Sequence, residues 1–253
     1  MLRVERQNRI LKILQGNPGM RVVELSKSLG VSEATVRRDL DRMSQIGQIK
    51  RIRGGAVPAI PAAPEAPVVQ RSAQNPEEKK RIGSVAADLI KEGDTVFIGS
   101  GSTTLEVARH LAGRQNITVI TNALTVVTML SQEEGIDLIV TGGFVRRSEL
   151  SFIGHLTELA LRELHPEKVI MGMRAISLNQ GLTNDYLPEV STDRVIIHAA
   201  PQVILVADHT KFGRAAAAQV APLSIVHTLI TDSAIDPRIL ASLRGVVKNI
   251  ILA

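Results

Sequence analysis

The sequence predicts an α/β protein in two parts, a small, mostly helical N-terminal part and a larger domain built on a mostly parallel sheet. From about residue 75 onward, uninterrupted apolar runs alternate with amphipathic helical stretches, the pattern of a parallel sheet covered by helices on both faces. Four prolines in residues 58–67 favour an extended linker before that domain. We therefore expect one domain over residues 1–57, a Pro-rich linker over 58–74 and a second domain over 75–253.

The composition excludes several kinds of site. Hydrophobic residues make up 44% of the 253 residues, whereas aromatic residues make up only 2% and Trp is absent, so Leu, Ile, Val and Ala must build the core. The absence of Cys excludes disulfides, thiolate catalysis and zinc fingers, and it is typical of a reducing compartment. Residues 1–12 lack the apolar run of a signal peptide, and no stretch approaches a membrane span. We therefore expect a cytoplasmic protein with no membrane partner.

The positive charge is concentrated at the start of the chain. The formal net charge is +5, and residues 1–57 contain twelve Lys and Arg but only five Asp and Glu. Such a step indicates nucleic-acid binding or, less often, an anionic membrane surface. A membrane-surface helix would need a wide apolar face with Trp, Phe or Leu beside its cations, which this region lacks. Nucleic acid is therefore the favoured partner.

Three short helices are predicted in the N-terminal part. The first spans Arg3–Gln15 and is stopped by Gly16–Gly19, and the second spans Val22–Leu29. Gly30 then provides a left-handed C-cap. A third helix begins two residues later, and a helix, a tight turn and a helix at this spacing predict a helix-turn-helix.

The third helix has a buried back and a cationic front. Ser32 is a good N-cap, and Val36, Leu40 and Met43 fall on one apolar stripe. The rest of the circumference carries small, polar and cationic residues, as needed by a helix whose N-terminal half enters a major groove. A solvated amphipathic surface helix is the alternative interpretation of this stretch alone.

Residues 48–57 predict a small β-wing, because Ile49 and Ile52 flank two cations and Gly54-Gly55 allows a tight reversal. Cations on a wing would contact phosphates, whereas the helix would contact both phosphates and base edges. The predicted DNA-binding residues are Ser32, Ala34, Thr35, Arg37, Arg38 and Arg42 on the helix, and Lys50, Arg51 and Arg53 on the wing.

These residues carry a resemblance to a known family. The stretch Val31–Leu40 (VSEATVRRDL), followed by Gly47 and by Arg53–Ala56 (RGGA), resembles the N-terminal winged helix-turn-helix of the DeoR family of bacterial transcriptional regulators. The resemblance implies binding of double-stranded operator DNA by the second helix of the motif.

The larger domain is predicted to begin with a helix that Asn75–Glu78 caps and charges and that runs to about Ile90. Strands and helices then alternate, and we find no internal repeat. The predicted strands are Thr95–Ile98, Ile117–Ile120, Asp137–Val140, Lys168–Met171, Gln202–Ala207, Thr228–Thr231 and Val247–Leu252. The predicted helices include Leu105–Leu111, Ala123–Leu130, Leu156–Leu164, Glu189–Ala199 and Pro237–Leu243.

Small polar residues follow three consecutive predicted strands. The stretches are Gly99–Thr104, Thr121-Asn122 and Thr141–Gly143. Ligands of such sheets bind outside the carboxyl ends of the strands. A Gly/Ser/Thr loop at a helix N-terminus offers backbone N–H groups, hydroxyls and the positive end of the helix dipole, which favour a phosphate.

The first loop does not match the common nucleotide-binding motifs. It reads G-x-G-x-x-T, without the third glycine of a dinucleotide fingerprint, and Thr121-Asn122 offers no carboxylate to a ribose. A Walker motif is also absent. A small polyol phosphate fits, with its phosphate on Ser102, Thr103 and Thr104 and a hydroxyl on Asn122. We expect no cofactor.

The larger domain also resembles the DeoR family. The carrying residues are Ser100–Thr104, Thr121-Asn122, Thr141–Gly143, Gly181–Thr183, Ala207-Asp208, Lys211–Gly213 and Thr231-Asp232. The resemblance implies a fold similar to ribose-5-phosphate isomerase and a phosphorylated sugar that alters operator affinity, commonly to relieve repression of sugar-catabolism genes.

This chain departs from the family pattern in two places. It has Arg174 where an acidic residue is often found, and Asp193 near the position where a lysine is often found beyond Glu189. Arg174 offers a second anion contact, which leaves a diphosphate or an acid sugar open. The expected effector-binding residues are Ser100, Gly101, Ser102, Thr103, Thr104, Thr121, Asn122, Gly142, Gly143, Arg174, Asp208 and Lys211.

A catalytically active sugar-phosphate isomerase carrying a DNA-binding domain is the alternative, with Asp208 and Lys211 as a base and an electrophile and with Asp185, Glu189 and Asp193 as further candidates. An isomerase would have no use for the basic N-terminal part, so we expect no enzyme. The six histidines are scattered, so we expect no metal site. Since one small DNA-binding module reads few base pairs, we expect a homo-oligomer, either a dimer or a tetramer. We expect this oligomer to act as a repressor.

Overall fold

The structure is a computed structural model that describes residues 3–16, 20–45, 49–52, 54–58 and 66–253. The chain divides into two compact units between residues 63 and 64. Within the described ranges, no helix has the length and apolar character needed to span a membrane.

The N-terminal unit contains three helices and a two-stranded hairpin. They are α1 (Arg3–Gly16), α2 (Val22–Leu29), α3 (Glu33–Gln45), β1 (Ile49–Ile52) and β2 (Gly55–Pro58). The positive φ of 65° at Gly30 confirms the left-handed C-cap of α2. The hydroxyl of Ser32 accepts a hydrogen bond from the backbone N–H of Thr35 at 3.3 Å, which confirms the N-cap of α3. The hairpin is antiparallel, with Ile52 opposite Gly55.

The core of this unit is a single apolar cluster. Ile10 and Leu14 of α1 are fully buried with Leu25 of α2, and the predicted stripe of α3, namely Val36, Leu40 and Met43, is buried with them. Asp39 adds a buried polar contact, because its Oδ2 lies 2.5 Å from the Nε of Arg6. The hydrogen bond from Arg6 therefore ties α1 to the back of α3.

The larger unit contains seven helices and twelve strands among its described residues. The helices are α4 (Val68–Ser72), α5 (Pro76–Ala87), α6 (Ser102–Arg109), α7 (Leu124–Leu130), α8 (His155–Arg162), α9 (Leu187–Ile197) and α10 (Pro237–Leu243). The strands are β3 (Thr95–Ile98), β4 (Ile117–Thr121), β5 (Ile136–Val140), β6 (Phe144–Arg146), β7 (Ser151–Ile153), β8 (Lys168–Met171), β9 (Ala175–Ser177), β10 (Gly181–Asn184), β11 (Gln202–Val206), β12 (Ala218–Ala221), β13 (Thr228–Thr231) and β14 (Asn249–Leu252).

A seven-stranded, fully parallel sheet organises the larger unit, as the sequence predicts. Its strand order is β14-β13-β11-β8-β3-β4-β5. Alternate residues of β3 point to opposite faces, since Val96 and Ile98 belong to one buried cluster and Phe97 belongs to another. Both faces are therefore covered, which explains why the strands are apolar without interruption.

Some predicted boundaries are wrong. Helix α6 begins at Ser102 and not at Leu105, because Gly101 with a φ of 141° turns the chain directly into the helix. Helix α5 ends at Ala87, since the N–H groups of the next two apolar residues bond three residues back, as in a turn. Asn75 does not cap α5 with its side chain; its amide lies 3.4 Å from an oxygen of Asp208 instead.

Two small sheets are missing from the prediction. Strands β6 and β7 form an antiparallel hairpin, and β9, β10 and β12 form a three-stranded antiparallel sheet. Each of these strands has only three or four residues and lies outside the alternation of strands and helices from which the parallel sheet was predicted.

Helices α5 and α6 approach closely at Gly83. A Cβ added at Gly83 would lie 2.7 Å from the backbone carbon of Glu106 and 2.9 Å from its carbonyl oxygen. Backbone atoms of a packed helix cannot move aside cheaply, so any larger residue here forces the two helices apart.

We expect Gly83→Ala to lower the free energy of unfolding by about 1–3 kcal/mol, because overpacking outweighs the higher helix propensity of Ala. Urea denaturation of the full chain measures this loss. Ser84→Ala, at the next position of the same helix, is the matched control and should change stability by less than about 0.5 kcal/mol. A Gly83→Ala chain as stable as this control would contradict the close approach.

Candidate functional site

The first candidate site is the exposed front of α3. Ser32, Ala34, Arg37 and Arg38 are exposed, and Thr35 is partly exposed. They lie opposite the buried stripe, so the helix presents its polar face outward. The hydroxyls of Ser32 and Thr35 are 2.9 Å apart at the N-terminal end of this face. This end of the helix combines two hydroxyls with the positive end of the helix dipole.

The cations of this face differ in their surroundings. Arg37 pairs with Glu33 one turn earlier, at 3.1 Å between Nη2 and Oε2, and both side chains are exposed. Such an exposed pair is weak and can open when a phosphate replaces the carboxylate. Arg38 and Arg42 instead line a groove that also contains residues of α1. The two are four residues apart and so lie on one side of α3.

The groove beside Arg38 and Arg42 contains two cations that the sequence prediction missed, Arg3 and Arg6 of α1. The hydrogen bond to Asp39 raises the pKa of Arg6 and fixes that guanidinium in place. Helix α1 carries no recognisable binding motif, so only its packing against α3 brings these charges together.

The structure describes only some of the predicted DNA-binding residues of the wing. Arg51 lies on β1, with its Nη1 3.6 Å from a carboxylate oxygen of Asp41. Lys50 lies on the same strand, but its side chain is outside the described part of the chain, and Arg53 is outside it altogether.

The second candidate site is a cleft in the larger unit, at the carboxyl ends of the central strands. The strand order reverses between β3 and β8, and loops that follow β3, β4, β8 and β11 all contribute to the cleft wall. A crevice at such a reversal is the usual ligand site of an open parallel sheet. Seven of the expected effector-binding residues line it, namely Ser100, Gly101, Ser102, Thr103, Asn122, Arg174 and Lys211.

One wall of the cleft is the N-terminus of α6. Among the described residues, no side chain caps this helix, whose N-cap is Gly101. The first backbone N–H groups of a helix have no partner within it, so they are available to a ligand. Ser102 and Thr103, in the first turn, are buried but line the cleft. This wall therefore offers several donors and a positive dipole end to an anion.

Asn122 contributes an unpartnered acceptor to the same cleft. Its Nδ2 donates to the carbonyl of Phe152 at 3.0 Å, which fixes the orientation of the amide. Its Oδ1 is then buried and has no hydrogen-bond partner among the described residues. The side chain is only 2% exposed. A buried acceptor without a partner costs free energy, and a ligand O–H or N–H group would remove that cost.

The remaining expected residues lie outside the cleft lining, and most have contacts within the protein. Thr104 donates to the carbonyl of Gly101 at 3.0 Å. The hydroxyl of Thr121 donates to the carbonyl of Ile98 at 2.6 Å and accepts a hydrogen bond from the backbone N–H of Ala123 at 3.0 Å. The carbonyl of Gly142 accepts from Thr157 at 2.7 Å. These three residues therefore stabilise the loops around the cleft and do not line it. The other two expected residues that do not line the cleft are Gly143 and Asp208.

Asp208 supports the turn that carries Lys211. Its Oδ1 accepts the backbone N–H of Thr210 at 3.0 Å, so it caps the short helical turn over His209–Lys211. Burial raises the pKa of Asp208, but the hydrogen bonds from Thr210 and the charges of Lys211 and Lys79 outweigh burial, and the pKa lies below its ordinary value. Asp208 is therefore an anion that holds Lys211 at the cleft.

The opposite wall is a network that the sequence analysis missed in large part. Arg146, from the β6–β7 hairpin, pairs with the buried Glu189 of α9. The amide of Asn184 donates to Glu189 at 2.9 Å and to Asp193 at 2.7 Å, and the hydroxyl of Ser151 lies 3.2 Å from Glu189. These residues come from a hairpin, a short strand and a helix far apart in the chain, so no local pattern marks them.

The carboxylates of this network repel each other. Burial raises the pKa of Asp193 well above its ordinary value, and the neighbouring charge of Glu189 raises it further. The hydrogen bond from Asn184 and the charge of Arg146 only partly offset these effects. Asp193 is thus a group that gains from a hydrogen-bond donor placed beside it.

Both parts of the chain match models of known domain families. Residues 6–59 match the DeoR-like helix-turn-helix domain, and residues 74–233 match the DeoR C terminal sensor domain. The second match alone covers more than half of the chain. Among the described elements, α4, α10 and β14 lie outside the two matches.

Similar proteins include regulators from distant organisms. The chain is 35% identical to the "Transcriptional repressor AccR" of Agrobacterium fabrum, over 90% of this chain and 89% of that protein. It is 34% identical to the "HTH-type transcriptional regulator GlpR" of Haloferax volcanii, over 93% of this chain and 92% of that protein. Among solved structures, ribose 5-phosphate isomerase A from Methanocaldococcus jannaschii matches with a TM-score of 0.42 at 17% identity, over 55% of each chain.

Proposed function

The chain belongs to the DeoR family of transcriptional regulators, and from this premise we propose that it is a homo-oligomeric repressor of sugar-catabolism genes whose operator affinity changes when a phosphorylated sugar binds the cleft of the larger unit. One observation carries the choice of effector: the uncapped N-terminus of α6 and the unpartnered oxygen of Asn122 line the same cleft. The first suits a phosphate and the second suits a hydroxyl.

The front of α3 reads the operator in this proposal. Thr35, Arg37 and Arg38 contact both base edges and phosphates, while Lys50, Arg51 and Arg53 of the wing contact phosphates only. The exposure of the α3 residues and the basic groove beside Arg38 support this division. Ser32, Ala34 and Arg42 complete the proposed DNA-binding set.

The repressor acts as a dimer or tetramer. One winged helix-turn-helix reads only a few base pairs, whereas a two-fold pair reads twice the site and gains discrimination. The larger unit provides the contacts between copies in this proposal. The Pro-rich stretch that precedes α4 sets the reach between half-sites.

The phosphate binds at the first turn of α6. Ser100, Gly101, Ser102 and Thr103 surround it with hydroxyl and backbone donors, and Lys211 supplies a charge. The sugar extends toward Asn122, whose oxygen accepts one of its hydroxyls. Thr104, Thr121, Gly142, Gly143 and Asp208 act indirectly, by holding these loops.

An active isomerase remains the second candidate, since a carboxyl group with a raised pKa, Asp193, lines the cleft as a general base would. Asp208 fits that role less well, because its pKa is lowered and its oxygen caps a turn. Relatives named as regulators support the non-enzymatic function. Conversion of ribose 5-phosphate to ribulose 5-phosphate by the purified chain would favour the enzyme.

Arg38→Ala should weaken operator binding by roughly 1–3 kcal/mol, because a base contact in the major groove is lost. The affinity is measured by fluorescence anisotropy with a duplex selected from a random pool by the full chain. Arg162→Ala, which removes an equally exposed charge from α8 of the larger unit, is the matched control. Equal affinities of the two variants would remove Arg38 from the reading surface.

Thr103→Val should leave operator binding intact and abolish the response to the effector, since valine keeps the shape but loses the hydroxyl at the phosphate. The change in anisotropy on adding glucose 6-phosphate, fructose 6-phosphate or ribose 5-phosphate measures this response. Thr128→Val, on the exposed side of α7, is the control and should respond normally. If Thr103→Val responds like this control, the phosphate is bound elsewhere.

A further inference from the structure

Each arginine of the cleft contacts a carboxylate of this chain. In two of these three ion pairs, both side chains are about nine-tenths buried. In the third pair, the arginine is buried to that extent but its carboxylate partner is more exposed. The protein therefore neutralises much of the cleft's positive charge before any ligand enters. The pairs are Arg71 with Glu149, Arg146 with Glu189, and Arg174 with Asp185.

A ligand anion would gain the full charge of these arginines only by displacing their carboxylate partners. Displacement would leave Glu149 or Glu189 buried without its counter-charge, and those side chains are 7% and 6% exposed. Breaking a buried pair in this way is strongly unfavourable. The N-terminus of α6 carries no such penalty, because its backbone donors have no side-chain cap to lose.

The rest of the cleft is rich in acceptors. Asn122 contributes an oxygen without a partner, and Glu189 and Asp193 contribute carboxylates that share the amide of Asn184. Burial and the neighbouring charge of Glu189 both raise the pKa of Asp193, so a further donor beside these carboxylates would be favourable. Hydroxyl groups supply donors without adding charge.

We propose that the cleft selects sugars with one phosphate and otherwise only hydroxyl groups, and that its Arg–carboxylate pairs exclude sugars with a second anionic group. This inference rests on the proposed function, since it assumes that the phosphate binds at α6. It predicts that a diphosphate and an acid sugar bind more weakly than a sugar monophosphate, although Arg174 has the most exposed carboxylate partner of the three arginines. Glu149 and Glu189 become specificity-determining residues, because they withhold Arg71 and Arg146 from the ligand.

Calorimetric titration of the full chain with matched pairs of sugars tests the proposal. The pairs are glucose 6-phosphate with 6-phosphogluconate, fructose 6-phosphate with fructose 1,6-bisphosphate, and ribose 5-phosphate with ribulose 1,5-bisphosphate. We expect the tightest ligand to be a monophosphate and its doubly anionic counterpart to bind at least ten-fold more weakly.

Glu189→Gln keeps the shape of the side chain but releases Arg146 from its counter-charge. We expect this variant to narrow the ten-fold preference several-fold by gaining affinity for the doubly anionic sugar. Glu149→Gln releases Arg71 and should narrow the preference for the monophosphate in the same way. The proposal can therefore be tested even if one of the two variants does not fold. Glu163→Gln, an exposed residue outside the cleft, is the control and should keep the wild-type preference.

The outcomes separate this inference from the proposed function. If a monophosphate binds and Thr103→Val abolishes its binding, but the bisphosphate or acid sugar binds equally well, the inference is wrong and the proposed function stands. The inference is equally wrong if the folded glutamine variants keep the wild-type preference. If none of the six sugars binds, both the inference and the proposed effector class are contradicted.

Discussion

The reversal of strand order between β3 and β8 determines where the larger unit can bind a ligand. Helix α6, which follows β3, packs in the cluster that contains Val96, whereas α9, which follows β8 and precedes β11, packs in the cluster that contains Phe97. The two connections thus leave the sheet on opposite faces, and a crevice opens between them. The N-terminus of α6 and the carboxylates Glu189 and Asp193 line the same cleft because each lies on one of these connections.

The two candidate sites differ in how their positive charges are paired and exposed. The front of α3 leaves its cations exposed and weakly paired, as an interface that must exchange partners with DNA phosphates requires. The cleft instead buries its arginines in pairs with carboxylates, so in our proposal recognition depends on which charged groups a ligand lacks. A regulator needs both, since DNA binding must be reversible and the response must be restricted to one class of metabolite.

The sequence predicted what depends on local pattern. The apolar runs identified all seven strands of the parallel sheet, and the small polar residues after β3 and β4 identified one wall of the cleft. The opposite wall could not be predicted, because Arg146 and Glu189 are 43 residues apart and Arg71 and Glu149 are 78 apart, and no local pattern relates residues at such separations. Those pairs exist only through the tertiary fold, as does the groove that places Arg6 beside α3.

In the proposed function, ligand binding in the cleft changes the affinity of α3 for DNA. The affinity of the full chain for its operator, measured by anisotropy with and without a saturating sugar phosphate, tests this coupling most directly. Coupling of the usual size would change that affinity roughly 5–150-fold. Calorimetry on the same sample establishes that the sugar is bound. A bound sugar phosphate that leaves the operator affinity unchanged would contradict the claim.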